Sequence, residues 1–227
     1  MKPAEILHLI INFKSHHLVK GSNCLQLAQE IEHISQEHSF PIAICPPIHC
    51  LSSVVNEINL PVFSQSVDPL IRGDNVAKIP IETLVDLGAT GVLLSDDIVI
   101  PFKDTEFILR TARTLKLLTL FISTNVAISA AVSKLDPHGI VFSPPDYNRN
   151  GTTVSTSTSD IIENHIRRIK IENSRIFPIC GSGVNNSADV KKSVELGSHG
   201  IMLDDKFLQS DDKAKILGEY INHLSSR

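Results

Sequence analysis

Apolar and polar positions follow two periods that take turns along the chain. Short, nearly continuous apolar runs predict strands at residues 6–13, 41–45, 62–65, 91–94, 118–123, 139–142, 175–180 and 200–203. Between them, segments with apolar residues three and four apart predict helices at 23–38, 49–56, 79–87, 103–115, 126–134, 159–171, 187–196 and 211–224. The helical spacing is clearest in "SDIIENHIRRIKI", where Ile161, Ile162, His165, Ile166 and Ile169 fall on one side. The 187–196 segment opens on Ser187, an N-cap residue type, and stops before Gly197, a residue suited to the C′ position. A strand that is apolar throughout is buried on both faces, and a helix after each strand returns the chain for parallel pairing. Eight such units predict a single-domain (β/α)8 barrel over residues 1–227. An open doubly wound sheet is the rival. It usually needs fewer strands, and no dinucleotide fingerprint follows the first strand here.

Composition narrows the partners more than the fold. Of 227 residues, 42% are hydrophobic and 20% charged, which suits a globular chain with a sizeable core. A net charge of −4 without a basic run argues against nucleic acid. Apolar stretches such as "ILHLIINF" and "LKLLTLFI" are too short to span a bilayer, and no signal-peptide pattern opens the chain. Cys24, Cys45, Cys50 and Cys180 lie in or beside apolar runs, as reduced core thiols of a cytoplasmic protein would.

A barrel keeps its chemistry where strands end. That singles out Asn12, Lys14, Gln65, Asp96, Asp97, Thr124, Ser143, Gly181 to Gly183, Asp204 and Asp205. The sixth strand runs into "VFSPPDYNRNG", in which Pro144 and Pro145 stop helix and strand alike and stiffen the base of a polar loop.

In order and spacing these segments resemble triosephosphate isomerases, above all the short archaeal form. "INFK" resembles the motif that supplies the family's Asn and Lys, here Asn12 and Lys14. "PVFSQSVDP", "GATGVLLSDD", the 143–151 loop and "PICGSGVNNSADVKKSVELGSHGIMLDD" resemble the third, fourth, sixth, and seventh with eighth strands and their loops. The resemblance implies a barrel that interconverts two triose phosphates without a cofactor or metal. It implies a Glu that moves the proton, a neutral His that polarises the carbonyl, and a homodimer or homotetramer; the family's enzyme is itself a well-known case of tuned pKa values.

The chain departs from that pattern at both reactive positions. Ser143 stands where the family has its Glu, and Asp96 where it has its His. A hydroxyl is no base near neutrality, and a carboxylate puts negative charge where oxyanion charge develops. At the loop tip Arg149, Asn150 and Gly151 replace Gly-Thr-Gly, while Gly181, Ser182 and Gly183 keep a turn whose N–H groups could face an anion. Asp204 and Asp205 replace small residues that the resemblance places around phosphate. The reading is therefore a homologue without isomerase activity, with a binding or regulatory role and a small anionic or phosphorylated ligand. A working isomerase and a repurposed metal-assisted enzyme are its alternatives.

Several residues carry plainer readings beside the chemical ones. Lys14 either holds an anion or pairs with Asp96 across the mouth, and the pair is expected within salt-bridge distance or bridged by one water, with Ser143 nearby. The acids Asp96, Asp97, Asp204 and Asp205 suit Mg²⁺ or, more commonly, water and helix caps. Cys45, His49 and Cys50 in "CPPIHC" fit no common zinc spacing. His16 and His17 are expected to be solvated, and Asp146 to serve as a loop or N-cap residue rather than a displaced base.

Overall fold

The computed structural model describes residues 2–74, 76–97, 100–145, 153–156 and 160–225. A short helix α1 (Pro3–Ile6) leads into β1 (Leu9–Asn12), and the elements then alternate. They are α2 (Ser22–Glu37), β2 (Ala43–Cys45), α3 (Ile48–Glu57), β3 (Phe63–Ser64), α4 (Ile81–Leu87), β4 (Gly91–Ser95) and α5 (Phe102–Thr114). After these come β5 (Leu118–Ser123), α6 (Val126–Ser133), β6 (Gly139–Phe142), α7 (Asp160–Glu172), β7 (Phe177–Cys180), α8 (Ser187–Glu195) and β8 (Gly200–Leu203). A single turn α9 (Asp205–Leu208) and α10 (Lys213–Ser225) close the described chain. All ladders are parallel, in the order β2-β1-β8-β7-β6-β5-β4-β3, and a bridge from Ile44 to Val62 joins the two ends into a barrel.

Two apolar layers explain the closure. Side chains alternate along each strand, so every second residue enters the barrel and the others meet the helices. Ile10, Ala43, Phe63, Leu93, Leu120, Val141, Ile179 and Met202 fill the interior. Ile11, Ile44, Val92, Leu94, Phe121, Ile140, Ile201 and Leu203 pack outward against Ile31, Leu51, Ile108 and Ile169 of the helices. Among the described glycines Gly200 permits the tightest approach, since a Cβ there would lie 2.0 Å from the Leu7 carbonyl oxygen.

The expected strands at 118–123, 139–142 and 200–203 are found with those bounds, and the others shift by a few residues. The first strand is the largest change: Ile6 ends a helix that Pro3 opens, and pairing starts only at Leu9. The N-cap of α8 is Asn186, not Ser187; its side chain accepts the Asp189 N–H, and Gly197 follows the helix at φ +92°. Among the described residues no helix is long and apolar enough to cross a membrane.

Candidate functional site

Counting in twos from the interior leads to the mouth. Ile10, Asn12 and Lys14 share one parity, as do Ile122 and Thr124, Val141 and Ser143, Ile179 and Gly181, and Met202 and Asp204. Of these, Asn12, Lys14, Ile122, Thr124, Ser143, Gly181, Met202 and Asp204, with Asp97 and Pro145, line a cavity of about 280 Å³ at the C-terminal ends of the strands.

Asn12 is nearly buried and works as a bracket. Its Oδ1 accepts the Lys14 N–H at 3.0 Å and Gln65 Nε2 at 3.2 Å, and the Gln65 amide also donates to the Cys45 carbonyl at 2.6 Å. These bonds hold Lys14 at φ +47°, a left-handed conformation that costs a non-glycine residue about 1 kcal/mol. The turn aims the ammonium across the mouth. Lys14 Nζ lies 2.8 Å from Asp204 Oδ2 and 3.2 Å from Asp205 Oδ2. Burial works against the Lys14 charge, yet the two carboxylates outweigh it and hold its pKa above the ordinary value.

Asp96 is the partner expected for Lys14, and strand parity explains the correction. Asp96 keeps step with Val92 and Leu94, which face the helices, so it turns out of the barrel. Its Oδ2 accepts the Thr124 N–H at 2.8 Å and the Thr124 hydroxyl at 3.0 Å. Its Oδ1 is buried and has no partner among the described residues. Asp97, one residue on, takes the place at the mouth.

Ser143 donates its N–H to the Ser123 carbonyl at 2.9 Å, and its Oγ lies 2.5 Å from Ser182 Oγ. Two hydroxyls in contact provide no proton acceptor of useful strength. The Gly181 N–H, expected to face an anion, is instead held by the Phe142 carbonyl at 2.9 Å, because β6–β7 pairing continues one residue past the strands. A Cβ on Gly181 would sit 2.8 Å from Val141 Cγ1, so this close approach requires glycine. Gly183, at φ +82°, accepts the Val154 N–H at 3.0 Å.

Asp189, which sequence reasoning does not single out, anchors the chain behind the mouth. It is fully buried, and four donors surround it: the Ser155 N–H and hydroxyl on one oxygen, the Asn185 and Asn186 N–H groups on the other. Burial alone would raise its pKa, but these bonds hold it below the usual carboxylate value. The Asn–x–x–Asp spacing at 186 and 189 is the available signal, since it forms a capping box.

The remaining candidates disperse. Cys45 faces the barrel interior and Cys50 the helix layer, so "CPPIHC" does not converge. The His16 and His17 rings meet at 4.3 Å, tilted by 36°, with Gln209 against His16. Among the described residues no three His, Cys, Asp or Glu side chains gather as metal ligands. Asp146, Arg149, Asn150 and Gly151 lie outside the described residues.

A closed (β/α)8 barrel with a polar cavity at the C-terminal ends of its strands defines the class of proteins that hold their ligands in that mouth. The family model described as triosephosphate isomerase matches residues 7–95. Triosephosphate isomerase of Caldivirga maquilingensis is 30% identical over 210 residues, 92% of this chain and 93% of the relative. That of Methanothermus fervidus is 29% identical over 217 residues, 95% and 98% of the two chains, and that of Methanocaldococcus jannaschii 27% identical over 217 residues, 95% and 99%. The chain belongs to the triosephosphate isomerase family.

Proposed function

We propose that this chain is a triosephosphate isomerase homologue without isomerase activity, and that it serves as a binding or regulatory protein. The observation that carries the reading is the clasp on Lys14. Both its carboxylate partners come from the β8–α9 turn, so the one cation of the described mouth is already neutralised before any ligand arrives. Asp97 adds a further negative charge to the same cavity. At about 5 Å and an effective dielectric near 20, each unit charge pair is worth roughly 3 kcal/mol, so a doubly charged phosphate is repelled here. The anionic ligand expected from family resemblance would need Arg149 to offset that repulsion.

The reacting groups support the same conclusion. Enediolate chemistry needs a base to carry the proton between two carbons and a donor to the developing oxyanion. Among the described residues Ser143 Oγ pairs with another hydroxyl, and Asp96 faces away from the mouth. Losing a positioned base typically forfeits about 10²–10⁴ in rate, and losing an oxyanion donor about 10²–10³.

A working isomerase is the second reading, and the names of relatives that span nearly the whole chain favour it. A coupled isomerase assay on purified protein separates the two. We expect turnover at least about 10⁴ below ordinary enzyme rates. Robust turnover that disappears in Lys14→Ala would establish the second reading and end the first.

A further inference from the structure

We infer that the cavity beside Asp96 is a small-molecule site of its own, which takes a compact apolar body carrying a protonated amine. It lies outside the barrel, between β4 and β5 on one side and α5 and α6 on the other, with a volume of about 380 Å³. The mouth, at about 280 Å³, is the smaller of the two.

The walls define the body of the ligand. Ile100, Phe102, Phe121, Ile128 and Val132 present mostly apolar surface. Phe102 is 53% exposed, which marks this rim as one where an aromatic side chain has no cover. A dry cavity of about 150 Å³ accommodates benzene, so this one has room for a bicyclic aromatic.

Asp96 defines the head group. Thr124 saturates Oδ2 through its N–H and hydroxyl, which fixes the carboxylate plane. Oδ1 stays buried with no partner among the described residues. An orphaned buried acceptor costs about 1–3 kcal/mol, and more when charged, so it marks a position that a donor from outside should fill. An ammonium supplies a short charge-assisted bond there and cancels the charge in an apolar setting. A carboxylate or phosphate ligand would meet Asp96 with its own sign.

Calorimetry on the full chain tests this with three probes of one shape: tryptamine, neutral 3-ethylindole and anionic indole-3-propionate. Tryptamine should bind at least about tenfold more tightly than 3-ethylindole, and indole-3-propionate least of all. Asp96→Asn should lower tryptamine affinity about tenfold while sparing 3-ethylindole. Ala131→Phe, at an exposed position of the rim, should block both and leave the carboxylate untouched. Absence of tryptamine binding at about 1 mM, or equal affinity in the parent and Asp96→Asn, overturns the inference. If Asp96→Asn fails to fold, the probe ranking and the Ala131→Phe block decide it. Affinity that survives Ala131→Phe places the amine elsewhere and also overturns it.

Discussion

Lys14 concentrates the chemistry of the mouth in one side chain. Asn12 holds its backbone in the left-handed region, and Asp204 and Asp205 hold its ammonium. The same charge that repels phosphate can be removed without touching the lysine. Asp204→Asn combined with Asp205→Asn should raise inorganic phosphate affinity at least about tenfold, with calorimetry as the measure, because two repulsive terms vanish and one cation is released. An unchanged affinity would show that charge is not what closes the mouth. His165 makes a second residue-scale case. It is 1% exposed, stacks on Phe142 at 4.0 Å and meets Ser129 Oγ through Nδ1 at 3.0 Å, while Nε2 is buried without a partner among the described residues. Burial pushes its pKa down to about 3. Between that value and the unfolded value near 6.5, the unfolded chain takes up a proton that the folded chain refuses. Stability is therefore full above about pH 6.5 and falls as pH drops toward 3, by on the order of 5 kcal/mol in all. Urea unfolding at several pH values should show a flatter acid limb in His165→Phe than in the parent protein.

At the scale of elements, parity decides more than propensity. Gly200 opens β8 against the Leu7 carbonyl, backbone against backbone, with no side chain that could move aside. Gly200→Ala should cost at least about 3 kcal/mol or abolish folding, measured by chemical denaturation, since overpacking at backbone contacts cannot relax. The eight strands are readable in the sequence because each is an apolar run bounded by polar turns, and β5, β6 and β8 are readable even at their ends. The start of the first strand is not, because "ILHLIINF" is apolar on both sides of the point where the Pro3 helix ends. The mouth is half readable. Asn12, Lys14, Ser143 and Asp204 follow from strand ends, and they do line the cavity. Asp96 and Asp97 are adjacent carboxylates, and composition cannot tell which one faces inward. Only the register of β4 does, because a single step along a strand exchanges the two faces. Likewise, nothing in the sequence pairs Lys14 with the end of β8; β1–β8 adjacency does that.

For the whole molecule, the question of assembly falls on exposed apolar residues after β3, since the family resemblance implies a homodimer or homotetramer. Ile71 is 59% exposed and Val76 90% exposed there, two large apolar side chains facing solvent in a single chain. Burying each fully would contribute about 1.5–3 kcal/mol. We expect a homo-oligomer by light scattering at micromolar concentration, and its dissociation in Val76→Lys; a monomer in the unaltered protein would exclude this contact. One further feature bears on how such a barrel can change over generations. Ser143 is tied to Ser182, Val154 to Gly183 and Ser155 to Asp189, so the chain leaves and returns at one short stretch of residues 181–189. Ser143, Val154 and Ser155 are therefore placed by that stretch, whatever number of residues joins them. Doubling the number of residues between two fixed anchors adds only about 0.6 kcal/mol of closure entropy. Residues gained or lost between those anchors should therefore leave the barrel as it stands.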